Sequence, residues 1–236
     1  MFSNLDTDSE YARMHEGLML LFIIISSSIY ILFEASTMVS DGLTARRLGR
    51  AAIPFHRSVE EPNATVMFIG DSTTVGTGAS RASQSLAGRL AQDFPNTTIM
   101  NHGVNGIGSR ELLTLLSEHP EWRSDLLIIN IGGIDILGLR PLRSFKKNIL
   151  SILQHAAPLS PRILILTSSN IGSIPYFRFP ISLFFGWRAR YIRRFMLEQA
   201  RTKRFVYVDL YDKPKDDPFL KDRQRFFAPD HIHPSG

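Results

Sequence analysis

The 236-residue chain contains no cysteine. That absence excludes a disulfide framework, a thiolate nucleophile and cysteine-ligated zinc, but it leaves the compartment open, because cytoplasmic and exported proteins alike can lack the residue. No zinc finger, RRM-like aromatic motif or long Lys/Arg run is present, so nothing favours nucleic acid as a partner. No internal repeat or low-complexity tract occurs, which excludes a solenoid array.

Charge is missing from one long run, Gly17 to Phe33 (GLMLLFIIISSSIYILF). At ~1.5 Å rise per residue this run spans roughly 25 Å, near the lower limit for crossing a bilayer, and it is expected to form a transmembrane anchor over residues 17–34. The preceding tail, residues 1–16, is acidic rather than basic and no clean small-x-small site follows, which argues against a cleaved signal peptide. The lack of a polar face argues against a buried helix of the globular domain. Arg46, Arg47, Arg50 and Arg57 follow the run while only Arg13 precedes it. By the positive-inside rule the C-terminal domain then leans to the cytoplasmic face. The tail carries about −3 of a net +5, leaving about +8 on the remainder, a balance that favours anionic partners, lipid headgroups being nearest to hand.

What is present is the composition of a packed protein: 44% hydrophobic and 21% charged residues, enough for one domain with one sizeable core. Residues 35–63, polar from Asp41 and carrying Pro54 and Pro62, read as a linker. The domain occupies 64–236. Apolar or β-branched runs at Thr65–Ile69, Ile99–Asn101, Asp125–Ile131, Arg162–Thr167 and Phe205–Leu210, each bounded by turn residues, read as buried strands. Between them Ser83–Phe94, Ser109–Leu116, Leu142–Ala157 and Arg188–Thr202 show helical spacing. Regular alternation predicts an α/β fold with a parallel sheet covered by helices on both faces.

Four short blocks carry the chemistry. Gly70-Asp71-Ser72 follows the first strand, where ligands of open parallel sheets bind. Thr74 stands where a Gly-x-Ser-x-Gly elbow has its second glycine, and Gly70 to Gly78 lacks the Walker Lys-Ser/Thr pair and Gly-x-Gly-x-x-Gly spacing. The others are Asn101-His102-Gly103, Gly132-Gly133-Ile134-Asp135 and Asp230-His231-Ile232-His233-Pro234. Each falls beyond a strand or in a terminal loop, so the sheet is expected to gather them at one edge. Ser72 can lose its proton to His233, whose tautomer Asp230 fixes. A metal-assisted alternative uses Asp71, Asp230, His231 and His233 as ligands.

These blocks, in this order across Ala64 to Ser235, resemble the SGNH/GDSL hydrolase family. The resemblance implies a three-layer flavodoxin-like α/β/α fold and an esterase or lipase activity on acyl or lysophospholipid-like esters, with no metal or other cofactor. It further implies Ser72 as nucleophile, Asp230 and His233 as its partners, and the Ser72 amide and Gly103 as oxyanion donors. One position departs: the family's third block has Asn where this chain has Ile134, and loss of such a donor costs ~10² to 10³ in turnover. Asn105 or Asn130 are the candidates to compensate. Family members also continue into a closing helix, whereas this sequence ends three residues past His233, so the His233 loop is expected to be poorly held and the closing helix missing. Both departures motivate a non-enzymatic alternative, a membrane-bound pseudoenzyme that binds lipid. The stretch Ile174 to Trp187 is unusually aromatic, which suits an acyl-chain pocket or a membrane-facing lip with Arg188, Arg190, Arg193 and Arg194 at headgroups, or equally a loop and helix packed on the core.

Overall fold

The structure, a computed structural model, describes residues 4–202, 204–211 and 217–236; the first three residues of the expected tail lie outside them. Helix α1 runs from Asn4 to Ala51 and is the one helix among the described residues long and apolar enough to cross a membrane. It has two unlike parts. From Arg13 to Phe33 every residue is exposed, whereas Glu34, Thr37, Met38, Asp41, Gly42, Ala45, Leu48 and Gly49 are partly or fully covered. That three- and four-residue spacing is one helix face laid against the domain.

The expected linker therefore differs from the structure. Residues 35–51 continue the helix, because nothing before Pro54 interrupts it. Residues 55–59 then dock on the sheet rather than hanging free: Arg57 exchanges backbone hydrogen bonds with Ile99, and its guanidinium donates to the carbonyls of Thr97, Ala91 and Phe94.

The domain alternates strand and helix as the periodicity predicts. Strands β1 (Ala64–Gly70), β2 (Thr97–Gly103), β3 (Leu126–Asn130), β4 (Ile163–Leu166) and β5 (Val206–Val208) form one parallel sheet in the order β2-β1-β3-β4-β5. Because the strands are covered on both faces, consecutive residues serve opposite cores. Met67, Ile69, Leu127, Ile129 and Ile165 meet α4 (Ser109–Glu118), α6 (Leu142–Ala156) and α7 (Ile181–Ala200) in the larger core. Val66, Phe68, Ile128 and Leu166 meet α3 (Leu86–Asp93) in the smaller one. This is the three-layer flavodoxin-like arrangement. Its winding reverses between β1 and β3, and that is where such sheets open a crevice at their carboxyl ends.

Helix α7 begins seven residues before its expected start at Arg188. Pro180 ends the preceding loop, and the aromatic run Ile181 to Trp187 has helical rather than irregular backbone.

Candidate active site

Strands β1, β2 and β3 end level, since Gly70 pairs with both Gly103 and Asn130. Gly70 has φ +148°, and a Cβ there would stand 2.1 Å from the Asn130 carbonyl oxygen, so only glycine lets the chain leave the sheet here. The next residue, Asp71, caps the short helix α2 (Ser72–Val75) by accepting from the Thr73 amide. Ser72 thus sits at the first position of α2, partly exposed above the β1/β3 crevice.

The C-terminal loop reaches the same place. The Ser72 hydroxyl donates to His233 Nε2 at 2.7 Å, and His233 Nδ1 donates to Asp230 Oδ2 at 2.5 Å. Asp230 is fully buried, and its other oxygen accepts the amides of Ile232 and His233, both at 3.0 Å. Burial opposes ionisation of Asp230, yet the three donors, the His233 ring among them, outweigh it and hold the carboxyl below its usual range. An anionic Asp230 fixes the His233 proton on Nδ1 and leaves Nε2 able to take a proton from Ser72.

The loop is well held, contrary to the expectation from the sequence. His233 accepts at its carbonyl from the Ala228 amide, His231 donates its amide to Ala228 and accepts from Tyr176, and Ser235 donates to Phe226. Gly78, with φ +96°, permits this approach: a Cβ on it would lie 2.8 Å from that of His233. The His231 ring turns away from His233 and pairs with Asp41 on α1 at 3.0 Å. The four metal-ligand candidates therefore do not converge, and among the described residues no three His, Asp or Glu side chains gather as a metal site.

The expected oxyanion donors are placed unequally. The Ser72 amide has no protein acceptor among the described residues, but the Gly103 N–H is donated to Asn101 Oδ1 at 3.0 Å. Asn101, buried, also donates to the Thr74 carbonyl and so ties β2 to α2. Ile134 stands partly exposed in the first turn of α5 (Gly133–Leu137). Neither suggested substitute is free: Asn105 donates to the Gly49 carbonyl of α1, and Asn130 donates to Asp71. Asp135 is structural, accepting from the amide and hydroxyl of Ser109 at the start of α4.

The sequence of the domain matches the model of the GDSL-like lipase/acylhydrolase family over residues 68–236. The chain belongs to that family. Among solved structures, the chain is similar to a member of the lipolytic G-D-S-L family from Veillonella parvula, at 16% identity and a TM-score of 0.57 over 72% of this chain and 88% of that one. It is similar also to an acetylxylan esterase from Geobacillus stearothermophilus (20%, TM-score 0.52, 74% and 88%) and to an esterase of the SGNH-hydrolase family (22%, TM-score 0.53, 69% and 84%). At such identities the likeness concerns the fold. No curated protein matches the sequence.

Asp41 and Gly78 escaped the sequence reading. Asp41 belongs to a helical spacing, Met38-Asp41-Gly42-Ala45-Leu48-Gly49, that is visible in the sequence once the helix is known to continue. Gly78 carried no comparable signal.

Proposed function

We propose that this member of the GDSL-like family is a membrane-anchored serine esterase that cleaves carboxylic esters through an acyl-enzyme on Ser72. The observation that carries the reading is the continuous relay from Ser72 Oγ through His233 to a buried, anionic Asp230. His233 Nε2 takes the hydroxyl proton as Ser72 Oγ bonds to the carbonyl carbon, and the Ser72 amide meets the oxygen that becomes negative. Collapse of the intermediate breaks the ester bond, and the proton on Nε2 goes to the departing alkoxide. Water, deprotonated by the same nitrogen, then releases the acid and restores Ser72.

Acyl or lysophospholipid-like esters are the proposed substrate class, supported by the exposed apolar half of α1 beside the domain. The cytoplasmic face is supported by Arg46, Arg47 and Arg50, exposed just past the span. Labelling of the full chain with a fluorophosphonate tests the nucleophile. Labelling lost in Ser72→Ala, together with ester hydrolysis, supports the reading, and hydrolysis at the parent rate in that variant sinks it.

One observation favours a second reading, a lipid-binding protein without turnover: of the two expected oxyanion donors only the Ser72 amide is uncommitted, and Ile134 stands at the family's third donor position. A folded chain that binds lipid vesicles yet neither labels nor hydrolyses would establish it.

A further inference from the structure

Between Tyr176 and Phe179 the chain descends along α1 one helical turn at a time. The Tyr176 hydroxyl donates to the Met38 carbonyl at 3.4 Å, Arg178 pairs with Glu34 at 2.7 Å, and the Tyr30 hydroxyl donates to the Phe179 carbonyl at 2.9 Å. The partners on α1 step back four residues each time, ~6 Å per step. Tyr30 lies inside the charge-free run, ~4.5 Å before its end at Phe33. Phe179 is therefore level with the last turn of the apolar span.

From that level onward the segment is apolar and uncovered. Phe179, Leu183 and Trp187 recur at four-residue spacing and are 71%, 61% and 50% exposed, with Ile181 and Phe184 also exposed beside them. The rest of the aromatic stretch is accounted for, because Ile174, Phe177 and Phe185 are buried in the core. The surplus of exposed aromatic and aliphatic side chains is thus confined to the tip that touches the span, larger than a surface facing only water retains. From Phe179 to Leu197 there is no acidic residue, while Arg190 and Arg194 are available to anionic headgroups. The Arg178 guanidinium lies 5.5 Å from the Phe33 ring, as suits a cation at the water–hydrocarbon boundary.

We infer that the tip Phe179 to Phe184, with Trp187 at its rim, is a second membrane contact that inserts into the headgroup–acyl boundary of the bilayer spanned by α1. The inference rests on α1 being the anchor. Two contacts fix the domain's rotation about the axis of α1, which a single spanning helix would leave free. The Asp41–His231 contact lies eight residues beyond Phe33 on α1, roughly 12 Å at helical rise, so a seated tip holds the catalytic loop at a set distance from the boundary.

Because the chain has no cysteine, single-cysteine variants give unambiguous labels. Phe179→Cys, Leu183→Cys and the control Phe94→Cys, exposed at the end of α3, are spin-labelled in the full chain. They are reconstituted in vesicles of phosphatidylcholine and phosphatidylglycerol, and relaxation by dissolved oxygen is compared with relaxation by an aqueous nickel chelate. The expected result is nickel accessibility several-fold lower at positions 179 and 183 than at 94, with oxygen accessibility higher. If the chain resists alkaline carbonate extraction but position 179 is as open to nickel as position 94, the inserted tip is wrong and the anchor stands. Extraction by carbonate would overturn the anchor, and the tip with it.

Discussion

Asp41, two turns past the exposed part of α1, holds the ring of His231 at 3.0 Å, and His231 is two residues from His233. His231 has φ +57°, a left-handed conformation in which a non-glycine residue persists only when its surroundings fix it. The long N-terminal helix thus braces the loop that presents the imidazole to Ser72.

Asp41→Ala is expected to slow turnover while leaving the domain folded. The pair is half exposed on the histidine side, so it is worth ~0.2–1 kcal/mol. If that energy serves to hold the loop in its productive position, kcat falls about 1.4- to 5-fold. A kcat equal to the parent's would show that the brace has no part in turnover.

Ile134→Asn is expected to raise kcat about tenfold, below the full ~10² to 10³ of a well-placed oxyanion donor. Ile134 is only partly covered, so the amide is not forced into an apolar core. The gain should appear in kcat more than in KM, because the new donor acts mainly on the developing charge. Unchanged kcat in a variant with the parent's melting curve would mean that this site stabilises its oxyanion without the family's side-chain amide.

Asp71→Asn is expected to stabilise the protein at neutral pH. Burial pushes the Asp71 carboxyl up to about 6 from 3.8, against the Thr73 amide and the charge of His233, which favour ionisation. The folded state therefore keeps a proton that the unfolded state gives up. Stability from this group is greatest below about pH 4, declines as the pH rises to about 6, and stays reduced above. The shift corresponds to on the order of 3 kcal/mol. Asparagine retains an acceptor for Thr73 and Asn130 without the buried charge. Its advantage in thermal unfolding should be largest at pH 7 to 8 and vanish near pH 4, and an advantage independent of pH would refute the ionised Asp71.

Arg188→Met is expected to destabilise by about 1–3 kcal/mol. Arg188 is buried and donates to the carbonyls of Ile136, Asp135 and Arg140; the first two also accept the backbone amides of Leu139 and Arg140, whereas the Arg140 carbonyl has no other donor among the described residues. Burial lowers the guanidinium's proton affinity, with Asp135 opposing, but the arginine remains charged. Removing it strands the Arg140 carbonyl, at about 1–3 kcal/mol, and takes a charged donor from the other two. Denaturant midpoints check this, with Arg188→Lys recovering only part because a single ammonium cannot span the three oxygens. A near-parental midpoint for the methionine variant would place these carbonyls in contact with water.

The sequence by itself determined the strand–helix alternation, the order of the four chemical blocks and the charge-free run, since each is written in local periodicity or in residue types that chemistry restricts. Strand ends shifted by one or two residues, as expected where a turn competes with the last ladder bond. Tertiary structure alone decided what the surrounding polar groups do. Arg188 was read among the headgroup-facing arginines, but three carbonyls draw it inside. Asn105 and Asn130 were candidate oxyanion donors, yet Gly49 and Asp71 occupy them. The loop of His233, expected to be loose because the sequence stops soon after it, is fastened by Ala228, Tyr176, Gly78 and Asp41, residues 5 to 192 positions distant. Hydrophobic spacing is a property of neighbours along the chain. The partner of a single hydrogen-bonding group is chosen by whichever backbone folding brings within about 3 Å of it, and that is settled only when the sheet has closed and α1 has docked.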